Sequence, residues 1–277
     1  MDIRIQGPGP SAPFLGARDL FETERDLTLP VYVHLRDDPD ERTWAGHYDD
    51  RHVLNISRQA ASSAMARELA LHEFSHMARY EESHPSHVQP IEEALYLALA
   101  GHRVERRRLT HCYQIANHAK DIYADDITLA VGPGEKLLAF LESSLATAVA
   151  DHGSTNPVRA GKTTRLTPAA DPNITAVNAA FALALAERHA LLEADHRLYD
   201  LARIAAMDAP AVDLDAFVRQ FRDLSHDPDA STYRQTLVEL TRAYVLDQPP
   251  GSTPKAEPNG SRENRRGASR GPNTGAD

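Results

Sequence analysis

Three short segments in the first quarter of the chain alternate apolar and polar residues in the manner of β-strands. Residues 29–35 place β-branched and aromatic side chains after a proline, and residues 52–57 alternate like a half-buried strand. Residues 43–48 form a weaker candidate, and a turn after them leads directly into the 52–57 segment. We therefore expect a small sheet of about three strands within residues 28–60.

Helical periodicity begins directly after the last of these strands. Residues 58–80 read as one helix with Ser57 as its N-cap, and their two apolar stripes are typical of a helix buried between layers. Pro90 suits the start of a second helix, and residues 103–129 show a further amphipathic helical pattern. The same periodicity recurs at residues 174–206, 213–225 and 230–246.

The order of these elements predicts an α+β fold, with a small sheet followed by a largely helical chain. Residues 1–150 are expected to form one domain. Residues 151–173 are rich in Gly, Pro, Thr and Asn, which predicts a linker or long loop. Residues 174–247 would then be a helical extension, and residues 248–277 lack large apolar side chains and are predicted to be disordered.

The strongest chemical signal lies within the first long helix. His72, Glu73 and His76 form the pattern His-Glu-x-x-His. Side chains four residues apart project from the same face of a helix, so two imidazoles at this spacing can bind one zinc ion at roughly 2.0–2.1 Å each. The glutamate lies beside them, where it can take a proton from a metal-bound water. We therefore expect Zn²⁺ as the cofactor, His72 and His76 as ligands and Glu73 as the catalytic base.

A short sheet whose last strand leads into a His-Glu-x-x-His helix resembles the upper lobe of the zincin metallopeptidases, including the compact minigluzincins. It also resembles the zinc-peptidase domain of bacterial repressor-cleaving proteins. The resemblance covers residues 30–130 and implies that residues 1–150 form a zincin-like metallopeptidase domain. In zincins an edge strand pairs with an extended peptide substrate, so the resemblance implies this role for residues 52–57 or a neighbouring strand.

A catalytic zinc site needs a third protein ligand and one open position for water. The metzincin continuation is absent, because Arg79 and Glu82 stand where that family has a glycine and a histidine. The resemblance to gluzincins, in which a glutamate on the following helix completes the site, implies Glu93 as the third ligand, since residues 92–94 correspond to the family's Asn-Glu-Ala step. Glu92 is the alternative on the same helix turn, and acidic residues also favour any helix N-terminus for dipole reasons.

Three further residues are candidates for the third ligand. His84 and His87 lie in a polar loop that is expected to pass close to the metal, where they could also contact substrate or simply be solvated. Asp121 lies on a polar stripe of the 103–129 helix, which an ordinary solvent-facing surface would also explain. Alternatively, Asn117 or Asp121 hydrogen-bonds a zinc-binding histidine and selects its tautomer. The stripe comprises Thr110, Gln114, Asn117, Asp121 and Asp125, with His118 alongside.

Composition narrows the classes of partner and compartment. The formal net charge of −10 argues against nucleic acid as the main partner. Cys112 is the only cysteine, which excludes an intrachain disulfide and fits a reducing compartment. The sequence opens with no charged-then-apolar leader, and no apolar run approaches the roughly 18 residues of a membrane span. We therefore expect a cytoplasmic protein with neither a nucleic-acid nor a membrane partner.

Two functions fit these patterns. The first is a zinc-dependent peptidase that acts on a peptide or protein substrate, and the resemblance to compact cytosolic zincins implies limited regulatory proteolysis. The second is a zinc-binding regulatory or interaction module with little turnover, whose helical C-terminal half recruits a partner. Glu73 favours the first, because a structural zinc site has no use for a general base.

Overall fold

The computed structural model describes residues 1–39, 41–152 and 171–246. In these residues the chain has an α+β fold, which confirms the predicted fold class. The strands are β1 (Ile3–Gln6), β2 (Val31–Arg36), β3 (Trp44–Tyr48) and β4 (Arg51–Ser57). The helices are α1 (Ala12–Phe21), α2 (Arg58–Ala61), α3 (Ala66–Glu81), α4 (Pro85–Val88), α5 (Ile91–Leu99), α6 (Arg106–Val131), α7 (Gly134–His152), α8 (Pro172–Arg188), α9 (Arg197–Asp208), α10 (Leu214–Arg222) and α11 (Ala230–Val245).

The four strands form a mixed sheet in the order β1-β2-β4-β3. β1, β2 and β4 are parallel, and β3 runs antiparallel to β4. Because β4 lies inside the sheet, residues 52–57 cannot pair with a peptide at an edge, and the neighbouring strand with an open side is β3. β1 lies outside the range predicted for strands, since four residues are too short to show a clear period. Its parallel pairing with β2, reached through α1, is a tertiary contact.

Residues 58–80 form two helices, so the prediction of one continuous helix is wrong. Ser57 caps α2 as predicted, and its hydroxyl accepts a hydrogen bond from the Ala60 N–H at 3.1 Å. The Ser63 hydroxyl then donates to the Ala60 carbonyl at 2.7 Å and accepts from the Met65 N–H at 3.2 Å. These local bonds replace the ones that would continue the helix, and the chain begins again as α3.

Two apolar cores meet at α6. The first lies between the sheet, α1 and α3 and includes Ile127 of α6, whereas the second joins α5 and α6, through residues such as Ile115, to α8, α9, α10 and α11. The second core therefore contains residues from both sides of the predicted linker at residues 151–173. Residues 153–170 of that linker, and the predicted disordered tail at 248–277, lie outside the described residues. The domain boundaries stay a prediction.

Beyond residue 130 the described part of the chain contains helices and no strand. The 174–206 segment, predicted as one helix, is divided into α8 and α9 by a turn between Arg188 and Arg197. The sequence pattern does not predict α7. None of the described helices combines the length and the apolar character that a membrane span requires.

Candidate metal centre

The two motif histidines lie side by side on α3. Their Nε2 atoms are 3.0 Å apart, and the two rings are nearly perpendicular. Both side chains keep some access to solvent, with 26% of His72 and 10% of His76 exposed. The i, i+4 spacing of the motif thus brings the two imidazole nitrogens to a common point, as the sequence predicts.

The third group of the cluster comes from α6. The Asp121 Oδ1 atom lies 3.4 Å from His76 Nε2, and one ligand atom from each of His72, His76 and Asp121 lies within 4.8 Å of the others. Burial raises the pKa of Asp121, but His118 and His76 outweigh it and hold that pKa well below its usual range. Asp121 is therefore an ionised carboxylate at the point where the two imidazoles converge.

The chemistry and the spacing of this cluster fit zinc. Two nitrogens bound tetrahedrally to zinc at 2.0–2.1 Å would be roughly 3.3 Å apart. The observed separation of 3.0 Å is within a few tenths of an ångström of that value. Two imidazoles and one carboxylate also form a common donor set of catalytic zinc sites, which keep a fourth position open. His72, His76 and Asp121 therefore form a candidate metal site.

A second aspartate of α6 orients His72. The His72 Nδ1 atom lies 2.6 Å from Asp125 Oδ1, and Asp125 is buried. Burial lowers the pKa of His72, but the adjacent Asp125 carboxylate outweighs that effect and raises the pKa to about 10. Such a carboxylate keeps a proton on Nδ1, so Nε2 is the atom that would bind a metal, after giving up its own proton.

His76 is oriented by a chain of hydrogen bonds through the loop and α4. Its Nδ1 atom lies 2.7 Å from His87 Nε2, and His87 Nδ1 lies 2.7 Å from the Ser86 hydroxyl, which also contacts His84 Nδ1 at 2.7 Å. Burial, followed by the charge of His76, lowers the pKa of His87, so this ring is neutral and can accept the His76 proton. His87, which is held by Ser86, thus fixes the orientation of the His76 ring.

Glu73 is buried, but its side chain has no protein hydrogen bond or ion pair within the described ranges. An unpaired carboxylate in the helix position after His72 is available to a water molecule. Lys120 of α6 lies near enough to interact with both Glu73 and Asp121, although burial lowers its pKa. The sequence pattern does not single out Lys120.

The two glutamates of α5 lie away from the histidines. Glu93 is 51% exposed, and its Oε1 atom lies 3.6 Å from Arg234 Nε of α11. Glu92 is also exposed. Both occupy the first turn of α5, where acidic side chains interact favourably with the helix dipole. The structure therefore does not bring the predicted third ligand, Glu93, to the cluster, and Asp121 is the predicted alternative that it does bring there.

The polar stripe of α6 divides between two surroundings. Asp121 and Asp125 face α3, whereas Gln114 and His118 hydrogen-bond Asn178 of α8 at 2.9 and 2.8 Å. Asn117, the other residue predicted to orient a zinc-binding histidine, is exposed. The sequence feature that points to Asp125 is its spacing from Asp121. Two aspartates at i and i+4 match two histidines at i and i+4 on the facing helix.

An apolar cavity of about 180 Å³ opens beside the cluster. His72, Asp121 and Asp125 line it together with leucine and phenylalanine side chains of α3, α6, α7 and α8. The candidate metal site therefore has an apolar space directly next to it, which is the usual construction of a small-ligand or side-chain pocket.

Residues 1–246 match the family described as "Family of unknown function (DUF5781)", and the chain belongs to that family. Comparisons with curated proteins and with solved structures gave no match.

Proposed function

We propose that this member of the DUF5781 family is a zinc-dependent peptidase in which His72, His76 and Asp121 hold the metal and Glu73 is the catalytic base. The observation that carries the proposal is the convergence of three ligand atoms, from two different helices, within 4.8 Å of one another. The unpaired Glu73 carboxylate beside them distinguishes a hydrolytic site from a purely structural one.

Zinc with three protein ligands keeps one position open, where it polarises a carbonyl and lowers the pKa of a water molecule. Glu73 takes a proton from the attacking water and later gives a proton to the departing amine. Asp125 and His87 each hold one imidazole through its Nδ1 atom, so both Nε2 atoms stay directed at the same point. The protein's part is thus to orient the ligands and to move one proton.

Two features support a peptide as the substrate. The outer side of β3 is a free sheet edge within the described residues, and β3 packs on α3, so an extended peptide that pairs with this edge would pass the cluster. The apolar cavity beside His72 and Asp121 could take an apolar side chain of that peptide. The cavity is lined by two of the three proposed ligands, and β3 packs on the helix that carries both histidines.

The proposal is tested with the full-length chain loaded with zinc, using unfolded casein and a library of decapeptides as probes and mass spectrometry to locate cleavage. We expect the wild type to cleave peptides and Glu73→Gln to lose a factor of roughly 10²–10⁴ in kcat, because its side chain can no longer accept a proton. Glu92→Gln, a matched change of an exposed glutamate on α5, should retain wild-type activity. Zinc content should be one equivalent in all three proteins.

Two outcomes would contradict this proposal, the first in the role of Glu73 and the second in the peptidase activity itself. If Glu73→Gln were as active as the wild type, Glu73 would not be the base. If the wild type bound zinc but cleaved none of the probes, a zinc-binding regulatory module with little turnover would describe the protein better.

A further inference from the structure

A second pair of histidines lies beside the metal cluster, on the strands β3 and β4. His47 and His52 are neighbours in the antiparallel pairing, and their Nδ1 atoms are 3.1 Å apart. His52 is fully buried, and its Nε2 atom lies 3.1 Å from Glu81 Oε1 at the end of α3. The three side chains form one line of hydrogen bonds from Glu81 through His52 to His47.

The position of every proton in this line follows from Glu81. Burial raises the pKa of Glu81, but hydrogen bonds from the Thr28 and Leu29 N–H groups, at 2.8 and 2.9 Å, outweigh it and lower that pKa. An ionised carboxylate only accepts, so His52 Nε2 carries a proton and donates it. Burial also lowers the pKa of His52, so the ring is neutral and its Nδ1 atom is an acceptor.

His47 must therefore donate through its own Nδ1 atom. Burial, followed by the neighbouring His52 and Lys120, lowers the pKa of His47 to about 3, so this ring is neutral as well. A neutral imidazole has one proton, so the His47 Nε2 atom carries a lone pair. That atom has no hydrogen-bond partner in the described part of the chain.

The His47 ring is directed towards the metal helix. It stacks on Tyr80, with ring centroids 4.3 Å apart and planes 9° from parallel. Tyr80 follows His76 by one helical turn, about 6 Å along the α3 axis. His47 also lies on β3, one of the two edge strands of the sheet. An oriented acceptor thus lies on an edge strand and packs against the helix that carries both metal-binding histidines.

We propose that His47 binds the substrate peptide by accepting a hydrogen bond at Nε2 from one of its backbone N–H groups, with His52 and Glu81 as positioning residues. The inference rests on the proposed peptidase function. A neutral ring held in one tautomer cannot donate at Nε2, so it selects an N–H donor over a carbonyl at this point of the peptide. It therefore sets the register of the peptide relative to the zinc ligands.

The test is a double-mutant cycle between His47 and the substrate. The best decapeptide from the cleavage library is prepared as a series in which one backbone N–H at a time, away from the scissile bond, is replaced by an ester oxygen. At one position the ester should lower kcat/KM of the wild type by roughly 3- to 10-fold, the usual worth of one hydrogen bond. The same ester should cost His47→Phe nothing further, because the acceptor is already absent.

The choice of variants and an NMR measurement exclude a folding defect as the cause of the result. Phenylalanine preserves the stacking on Tyr80, and His47→Gln, whose amide oxygen can replace the lone pair, should recover part of the selectivity for the N–H peptide. In ¹⁵N NMR of the metal-loaded Glu73→Gln protein, the His47 Nε2 resonance should be that of an unprotonated nitrogen and should shift when the uncleaved decapeptide binds.

Each adverse outcome has a distinct meaning. An ester series that affects wild type and His47→Phe equally at every position, or a protonated His47 Nε2, would overturn the role of His47 and leave the peptidase in place. A wild type that cleaves no peptide would overturn the peptidase, and this role with it.

Discussion

The chain contains two pairs of histidines that look alike when only distances are compared. In the α3 pair, His72 and His76, the nearest ring nitrogens are 3.0 Å apart, and in the sheet pair, His47 and His52, they are 3.1 Å apart. Each pair also has a carboxylate on the far nitrogen of one ring, which is Asp125 for His72 and Glu81 for His52. Distance between nitrogens therefore does not separate a metal site from a hydrogen-bonded pair.

The difference lies in the third group and in the charge around it. Asp121 adds a ligand atom to the α3 pair, whereas within the residues that the structure describes no carboxylate or thiol completes the sheet pair into such a cluster. Carboxylates raise the pKa of His72 to about 10 after burial has lowered it, while burial dominates at His47 and lowers its pKa to about 3. The α3 pair thus attracts a cation, and the sheet pair is satisfied by its own protons.

The largest expected effect is on metal binding by the α3 pair. His72→Ala and His76→Ala should each reduce zinc affinity by more than about 100-fold, beyond the 10–100-fold typical of losing a group behind the ligands, because a direct ligand is lost. Zinc content after gel filtration, measured by elemental analysis, should fall from one equivalent to near zero. His47→Gln in the sheet pair and His189→Ala, directly after the end of α8, are the matched controls and should keep the metal. A zinc-free wild type after metal-replete refolding would contradict the site itself.

The next effect separates the two candidates for the third ligand. Asp121→Asn should weaken zinc affinity by about 100-fold, since the carboxylate charge at the cluster is lost. Glu93→Gln should change it by less than about 2-fold, because an exposed ion pair such as the one with Arg234 contributes little. Competition with a chromophoric chelator measures both. A larger loss in Glu93→Gln than in Asp121→Asn would instead support the gluzincin arrangement on α5.

The smallest expected effect is on the pH dependence of zinc affinity, which tests the difference in charge between the α3 pair and the sheet pair. In the metal-free protein His72 is protonated below its pKa of about 10, so zinc must displace one proton. Zinc affinity of the wild type should therefore rise about tenfold per pH unit between roughly pH 6.5 and 8. In Asp125→Asn the His72 pKa returns towards its usual range, and the dependence over the same interval should become nearly flat. Parallel slopes in the two proteins would show that Asp125 does not control the proton on His72.

Local patterns predicted the parts of the fold that depend on neighbouring residues. The segments 29–35, 43–48 and 52–57 correspond to β2, β3 and β4, and Ser57 caps a helix as expected. The predictions of secondary structure are wrong where a distant or competing contact determines the conformation of the chain. β1 exists because it pairs with β2, and the helix after Ser57 is interrupted because the Ser63 hydroxyl binds backbone groups of its own turn.

The candidate site divides in the same way. The spacing of the motif is enough to put His72 and His76 on one helix face with Glu73 beside them, since that follows from 3.6 residues per turn and requires no other part of the chain. The sequence also narrowed the third ligand to a few acidic residues and histidines. The choice among them depends on helix packing, because α6 packs against α3 and sets Asp121 opposite His76 and Asp125 opposite His72. Glu93 has the right chemistry, but its helix packs against α11 and turns its carboxylate to Arg234.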